Sequence, residues 1–273
     1  MAVIRSWGYE VVEAEGLWRR KGDLAGSDEN RLADLQAAID DPAVQAVWAA
    51  RGGWGSARLL SRLRLPSSRR RAKWLIGFSD LSAVQQMLFE ARIASWYAPV
   101  VADLVDETRY RKRDLMAMLE TPEAERVYRL ARRGTIVPGV AEGVLAGGCL
   151  TLLAALAGTP WQPDFSGCIV FLEEVGEAPY RIDRLLWQLR HAGLFDGVRG
   201  IVFGQFTGCK AQRARSSRSL TDILREHART LALPSMTGLA VGHGRRARAI
   251  PIGYHAEMNT RAAELRVRPH TKR

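Results

Sequence analysis

Three side chains that could together perform nucleophilic catalysis lie beside glycine-rich turns or at a strand end. Ser79 stands in the segment GFSD, Glu173 ends the apolar run IVFLE, and His243 stands in the glycine-flanked segment VGHGRR. A histidine can take the proton of a serine hydroxyl, while a carboxylate fixes the imidazole tautomer and stabilises the imidazolium. The residue types therefore predict a serine hydrolase site with a nucleophile, a base and an acid.

Each of these residues also has an ordinary structural explanation. Ser79 could cap the helix that follows it, Glu173 could be a surface carboxylate, and His243 could be a loop imidazole. The order serine, acid, histidine is that of α/β-hydrolases, but GFSDL lacks the second glycine of their G-x-S-x-G motif. The residues by themselves leave both interpretations open.

The elements around Ser79 alternate between helix and strand. Apolar residues recur at helical spacing in NRLADLQAAIDD, and DPAVQAVWAA then has the pattern of a buried strand. The turn RGGWG precedes a predicted amphipathic helix that begins near Ser56, AKWLIGF predicts a strand, and DLSAVQQMLFEARI predicts a helix. Such units predict a parallel sheet, whose functional residues gather at the carboxyl ends of the strands.

A second region with a more mixed pattern follows the polar stretch 121–134. It contains predicted helices in CLTLLAALAG and YRIDRLLWQLRHAG, strands in CIVFLEE and GIVFGQF, and a hairpin in RAIPIGYHAEMNTRAAELRVR. We therefore predict an α/β protein with two domains. Residues 1–121 form a parallel-sheet N-terminal domain with flanking helices, 122–134 a linker, and 135–273 a smaller mixed α/β C-terminal domain.

The basic charge of the chain raises nucleic acid as a possible partner. Its 40 lysines and arginines against 29 acidic residues give a formal net charge of +11. The arginines, however, lie in short scattered clusters (67–73, 212–218 and 244–249), without zinc-finger spacing, an aromatic RNA-binding motif or a basic heptad region. We favour a solvated arginine-rich surface and do not predict nucleic-acid binding.

Composition predicts a soluble, cytoplasmic, globular protein with no membrane partner. Hydrophobic residues make up 47% of the chain, yet no apolar run reaches the ~18–20 residues of a membrane span. The first residues lack the apolar core of a secretory signal. Cys149, Cys168 and Cys209 are too few and too widely spaced for a disulfide framework or a zinc site, so we expect them to be buried.

Five segments together carry a specific family resemblance. They are RGGWG (51–55), LIGFSDLSA (75–83), GVLAGGCLTLLAALAGT (143–159), FLEEVGEAPYRIDRLLWQL (171–189) and VGHG (241–244). In this order they resemble the motifs of the LD-carboxypeptidase family of serine peptidases, which includes muramoyltetrapeptide carboxypeptidases and microcin C immunity peptidases. The resemblance extends from the first residues almost to the end of the chain.

The resemblance places the family's nucleophile, acid and base on the three residues named at the outset. It also implies an oxyanion hole formed by the backbone N–H groups of Asp80 and Gly53. Without a side chain, Gly53 would let its N–H group approach the developing oxyanion closely. Glu174 and Glu177 are weaker candidates for the acid, and we expect them to be structural or surface residues.

The resemblance further implies a fold and an assembly. The parallel-sheet domain would carry the serine, and the C-terminal domain would carry the acid and the base. A homodimer is expected, with neither a metal nor an organic cofactor. Family members usually begin with a further strand and loop that this chain does not contain, so we expect the first sheet to lack its usual first strand.

The implied activity is removal of the terminal D-alanine from a murein tetrapeptide in cell-wall recycling. One alternative is a microcin C immunity-type peptidase that cleaves an aminoacyl-nucleotide conjugate. Another is a non-catalytic basic binding protein on the same scaffold. For the conjugate, Trp54 and Trp187 are possible stacking surfaces, with core packing favoured for Trp187. An arginine should bind the carboxylate of a murein peptide, and the candidates are Arg51, Arg181, Arg184 and Arg245.

Two segments of the chain depart from the family pattern. Tyr97 and Ala98 precede Pro99 where relatives commonly have histidine and glycine, and Cys149 stands where asparagine is usual. We expect both departures to alter substrate contacts or hydrogen bonds around the site.

Overall fold

The computed structural model describes residues 1–66, 72–210 and 218–269. The α-helices in these ranges are α1 (Ala2–Ser6), α2 (Asp28–Asp40), α3 (Ser82–Glu90), α4 (Lys112–Glu120), α5 (Leu150–Leu156), α6 (Pro179–His191) and α7 (Leu220–Leu231). The strands are β1 (Ala46–Trp48), β2 (Trp74–Gly77), β3 (Ser95–Tyr97), β4 (Arg126–Arg129), β5 (Thr135–Val137), β6 (Val140–Cys149), β7 (Cys168–Val175), β8 (Gly200–Thr207), β9 (Ser235–Thr237), β10 (Ile250–Ile252), β11 (His255–Asn259) and β12 (Glu264–Arg268).

The first sheet has the strand order β1-β2-β3-β10. Its first three strands are parallel, as the alternation of strands and helices predicted, and β10 pairs antiparallel with β3. The segment predicted as one hairpin is therefore divided. Only β11 and β12 pair as a hairpin, while Ile250–Ile252 returns to the first sheet. The hairpin prediction was wrong for this strand because alternating apolar residues do not specify which edge a strand joins.

The second sheet has eight strands, in the order β4-β12-β11-β6-β7-β8-β9-β5. Its central strands β6 to β9 are parallel, and antiparallel strands extend both edges. Strand β4 lies within the segment predicted as a linker. It pairs with β12, and its Tyr128 is buried with the hydroxyl donating to the carbonyl of Ala249 at 2.7 Å.

Strand β7 is buried on both faces, which explains its continuous apolar sequence. Ile169 and Phe171 belong to the core layer that also includes Tyr97 of the first sheet and Phe78, which directly follows β2. Their neighbours Val170 and Leu172 face a second core, formed with helices α5, α6 and α7. One strand thus joins the layer between the sheets to the layer beneath the helices.

Several smaller expectations can also be compared with the structure. The predicted amphipathic helix after RGGWG is only a short 3₁₀ turn, Ser56–Leu59. All three cysteines are buried, as expected.

Within the described ranges, no helix has the length and apolar character needed to cross a membrane. Residues 67–71 and 212–217, which contain most of two arginine clusters, lie outside the described residues.

The close contact between β6 and β7 yields a stability prediction at Gly147, which has φ +128°. A Cβ there would lie 2.8 Å from the backbone N and C atoms of Phe171. Gly147→Ala should therefore cost about 2–5 kcal/mol, from steric overlap added to backbone strain. Gly158, at φ +79° and with no atom within 4 Å of the position that a Cβ would take, is the matched control and should lose only about 1–2 kcal/mol on substitution by alanine. Urea unfolding measures both, and equal losses would contradict the steric explanation.

Candidate active site

Ser79 occupies a sharp turn between a strand and a helix. Strand β2 ends at Gly77, Phe78 is extended, and Ser79 begins a 3₁₀ turn that leads into α3. Its φ is +63°, a left-handed conformation that non-glycine residues rarely adopt. Such strain is typical of a nucleophile displayed at the end of a strand, and a helix cap does not require it.

The structure brings Ser79, His243 and Glu173 together. The Nε2 atom of His243 lies 2.9 Å from Ser79 Oγ, and its Nδ1 atom lies 2.7 Å from Glu173 Oε2. Since an ionised carboxylate only accepts hydrogen bonds, Nδ1 carries the proton and Nε2 is free to accept one from the serine. This arrangement can transfer a proton from the serine hydroxyl to the imidazole.

The carboxylate of Glu173 is fully buried and has three donors. Oε2 also accepts the backbone N–H of His243 at 3.2 Å, and Oε1 accepts the hydroxyl of Tyr97 at 2.6 Å. Burial, together with the charge of Glu173, raises the pKa of Tyr97 well above its usual value, so the phenol stays protonated and donates. Tyr97 is one of the departures noted in the sequence, and its contact with Glu173 was not predicted.

A bulge in β8 holds the loop that carries His243. Strand β8 has one extra residue opposite Glu173, and the N–H group of Gln205 there donates to the Val241 carbonyl at 2.8 Å. The Gln205 side chain accepts the N–H of Gly244 at 2.9 Å and donates to the Arg245 carbonyl at 3.0 Å. Sequence reasoning missed Gln205, for which the signal was a polar residue within the apolar run GIVFGQF.

The glycine turn 51–55 lies against Ser79. A Cβ atom on Gly52 would lie 3.8 Å from Ser79 Oγ. The Asp80 carboxylate accepts the N–H of Ser56 at 2.9 Å, and the Ser56 hydroxyl donates to the Asp80 carbonyl, so Asp80 ties the two turns together. In the described part of the chain the N–H of Gly53 has no acceptor, and Asp80 stands in a first helical turn, whose N–H groups lack acceptors within the helix.

Glu174 and Glu177 make contacts of the structural kind expected for them. Glu174 is buried and accepts the N–H and the hydroxyl of Thr151, at 2.8 and 2.6 Å, at the start of α5. Burial raises the pKa of Glu174. Glu177 forms a surface ion pair with Arg181 at 3.4 Å. Neither carboxylate has a contact with His243 among the hydrogen bonds of the described residues.

The other described histidines interact elsewhere. His227 lies 2.7 Å from Asp183, and His255 lies 2.8 Å from Glu142. The ring centre of His191 lies 4.2 Å from that of Trp187, with the two planes tilted by 40°. His270 is outside the described residues.

One group in the described chain has the ligand types and spacing of a metal site. The ligand atoms of Glu142, His255 and Glu257 lie within 4.8 Å of one another on β6 and β11. Arg268, however, donates to Glu257 at 2.6 Å and so supplies the positive charge there. Glu142 lies seven residues before Cys149 on β6, and Cys149 is the register partner of Glu173. At about 3.3 Å per residue, Glu142 is about 23 Å from Cys149 along the strand.

The candidate carboxylate-binding arginines differ in their surroundings. Arg51 is exposed, and its Nε donates to the Gly52 carbonyl at 3.1 Å, which places the guanidinium beside the glycine turn. Arg245 reaches the hydroxyl of Thr108 at 3.4 Å, whereas Arg181 and Arg184 contact the ring of Tyr180.

The two candidate stacking residues, Trp54 and Trp187, are each 54% exposed. The preference for core packing of Trp187 was therefore wrong. It lies on the solvent face of the amphipathic helix α6, where helical periodicity places it away from the buried Ile182 and Leu186.

Comparisons with known proteins agree with this architecture. The LD-carboxypeptidase N-terminal domain matches residues 1–98, and the LD-carboxypeptidase C-terminal domain matches residues 142–258. A putative carboxypeptidase of Synechocystis sp. is 37% identical over 262 residues, which cover 96% of this chain and 85% of the relative.

Solved structures extend the comparison to the fold. The crystal structure of muramoyltetrapeptide carboxypeptidase from Oxalobacter formigenes has a TM-score of 0.87 and 30% identity, covering 99% of this chain and 93% of that chain. The microcin C7 self immunity protein in complex with aspartyl sulfamoyl adenosine has a TM-score of 0.84, covering 98% and 88%. At 18% identity, the second likeness shows the fold alone. From the domain matches and the relatives of 30% identity or more, this chain belongs to the LD-carboxypeptidase family.

Proposed function

We propose that this protein is a serine carboxypeptidase that hydrolyses the L-D peptide bond before the terminal D-alanine of a murein tetrapeptide. The observation that carries the proposal is the continuous hydrogen-bonded series from Ser79 through His243 to the buried Glu173. The name of the Oxalobacter formigenes relative supports the substrate. A cytoplasmic location, expected from the sequence, and a homodimer, implied by the family resemblance, are part of the proposal.

In the proposed reaction, Ser79 Oγ attacks the carbonyl carbon of the scissile bond while His243 Nε2 takes its proton. Glu173 stabilises the imidazolium, and the N–H groups of Gly53 and Asp80 donate to the oxyanion. The imidazolium then protonates the leaving amine, and water attacks the acyl-enzyme with His243 again as base. Every step uses groups of this chain and water.

The substrate's terminal carboxylate needs a cation close to the nucleophile. Arg51 is the best-placed candidate, because its guanidinium lies beside Gly53: the distance from Arg51 Nη2 to a Cβ placed on Gly53 is 3.4 Å. No carboxylate of the described chain forms an ion pair with Arg51. A planar guanidinium can bind a carboxylate with two parallel hydrogen bonds.

The exposed ring of Trp54 supports a second candidate, an immunity-type peptidase for aminoacyl-nucleotide conjugates. Trp54 stands in the same turn as Gly53, where an aromatic face could stack on a nucleobase. The guanidinium of Arg58 lies 5.7 Å from the centre of this ring. Both candidates use the same three reacting residues and differ in what binds beside them.

The nucleophile assignment predicts the effect of Ser79→Ala. Removal of the hydroxyl should lower kcat by about 10⁴- to 10⁶-fold while the free energy of unfolding changes by less than about 1 kcal/mol. D-Alanine release and thermal unfolding measure the two effects. Ser82→Ala is the matched control, because the Ser82 hydroxyl accepts the Cys149 N–H at 3.1 Å and should contribute to stability with little effect on kcat. A folded Ser79→Ala protein with near-normal turnover would refute the mechanism.

The acid assignment predicts opposite outcomes for two adjacent carboxylates. Glu173→Gln should lower kcat by about 10³- to 10⁴-fold, because an amide cannot stabilise the imidazolium. Glu174→Gln should leave kcat nearly unchanged and reduce stability, since Glu174 bonds to Thr151 rather than to His243. Rate profiles against pH and urea unfolding compare the two variants. If Glu174→Gln were the inactive variant, the acid would have been assigned one residue too early.

The substrate assignment is tested with three compounds in parallel. We expect release of D-alanine from L-Ala-γ-D-Glu-meso-diaminopimelate-D-Ala and little cleavage of the corresponding all-L peptide or of an aminoacyl-sulfamoyl adenylate. Chromatography of the free amino acid follows each reaction. Arg51→Gln should raise KM for the tetrapeptide about 10- to 100-fold, the effect of losing a charged hydrogen bond, whereas Arg181→Gln should not. Cleavage of the adenylate alone would refute the murein assignment and leave the three reacting residues in place.

A further inference from the structure

The hydroxyl of Tyr97 contacts both the acid and the nucleophile of the candidate site. It donates to Glu173 Oε1 at 2.6 Å and accepts the backbone N–H of Ser79 at 3.2 Å. Tyr97 ends β3 in the first sheet, whereas Glu173 lies on β7 in the second. A single oxygen atom therefore joins the two sheets at the point where the reacting residues meet.

The contact with Glu173 restricts rotation of the carboxylate. Oε2 is held by the ring and the backbone of His243, and among the described residues Oε1 would be left without a donor if Tyr97 were absent. A buried carboxylate oxygen without a donor is costly, and rotation would withdraw Oε2 from the imidazole. With Tyr97 present, each oxygen has its own donor and the plane of the carboxylate is fixed.

The contact with Ser79 supports a strained residue. The bond from the Ser79 N–H group to Tyr97 holds the backbone at φ +63°. It also occupies this N–H group, which leaves those of Asp80 and Gly53 for an oxyanion. The Tyr97 ring is itself held at near-perpendicular angles by Phe78, at 6.0 Å, and by Phe171, at 5.1 Å.

We propose that Tyr97 is a positioning residue of the reaction, whose hydroxyl fixes the Glu173 carboxylate and the Ser79 backbone relative to each other across the two sheets. This inference rests on the proposed serine peptidase function. Tyr97 does not touch the reacting atoms, and it acts through Glu173 and Ser79.

Tyr128 provides a matched control within the same core layer. Both tyrosines are 1% exposed, and each donates a single hydrogen bond from its hydroxyl. Tyr128 donates to the Ala249 carbonyl, outside the candidate site. Replacement by phenylalanine therefore removes the same atom from both positions, and the two variants differ in what that atom contacts.

The kinetic test compares Tyr97→Phe and Tyr128→Phe with the unchanged protein on the murein tetrapeptide. We expect Tyr97→Phe to lower kcat about 10- to 100-fold, a loss typical of residues that orient catalytic groups, with KM changed less than about twofold. Tyr128→Phe should keep both values. Equal kcat values for the two variants would overturn the proposal, because Tyr97 would then contribute only to packing.

The pH dependence of kcat/KM supplies a second test, because a role of Tyr97 in packing alone would not change it. Without its donor on Oε1, Glu173 carries more negative charge on Oε2 and favours the imidazolium, so the acidic limb of kcat/KM should move to higher pH in Tyr97→Phe. The other described titratable groups with an electrostatic interaction with this pair are unchanged in the variant; they are Cys149, Glu174, Cys209 and Asp103. An unmoved limb would count against the proposal.

A third variant covers the case in which Tyr97→Phe does not fold. Tyr97→3-fluorotyrosine keeps the shape of the side chain and makes the phenol a stronger donor. It should move the acidic limb the opposite way, to lower pH, and no movement would overturn the proposal.

Proton NMR separates this inference from the proposed function. The proton between His243 Nδ1 and Glu173 should give a downfield resonance, assigned by its loss in Glu173→Gln. We expect the resonance to shift or disappear in Tyr97→Phe and to stay in Tyr128→Phe. If no substrate is cleaved, the proposed function fails, yet this resonance still tests Tyr97. An unchanged resonance in Tyr97→Phe would overturn the positioning role even if the peptidase activity is found.

Discussion

The structure depends on how it accommodates one fully buried carboxylate, that of Glu173. Transfer of an ionised group from water into a protein interior costs several kcal/mol unless hydrogen bonds replace its hydration. The replacing donors come from Tyr97 of the first sheet and from the backbone and ring of His243 in the loop before β10. The Glu173 carboxylate therefore has all of these hydrogen-bond donors only when the two sheets and this loop are assembled.

The hydrophobic layer between the sheets contributes to the same arrangement. Phe78 precedes Ser79, its ring lies 4.6 Å from that of His243, and Phe171 stands two residues before Glu173. Apolar packing of these rings excludes water from the hydrogen bonds beside them, and hydrogen bonds between charged groups are stronger in such surroundings. Residues close together in the sequence thus provide both the apolar packing and the polar groups of the site.

The sequence predicts those parts of the molecule that depend on local pattern. The strand and helix on either side of Ser79, the apolar strand that ends near Glu173 and the glycine-flanked loop of His243 all have local signals, and the structure brings these residues together. Contacts between distant segments have no such signal. The bond from Tyr97 to Glu173 joins residues 76 apart in sequence, and the partner of β10 is set by which sheet edge is open. The extra residue of β8 could not be predicted either, because bulges depend on the strand paired opposite.

The return of the chain to β3 through β10 has a consequence for synthesis. Until Ile250–Ile252 is available, β3 has an unpaired edge in a sheet of only three short parallel strands. Such edges readily pair with other chains, and parallel sheets form slowly because their contacts are distant in sequence. On a ribosome, the residues up to 252 must emerge before this edge can be covered. The nascent chain therefore has an exposed, aggregation-prone edge from the synthesis of β3 to that of β10, and a strand far along the chain completes the first sheet.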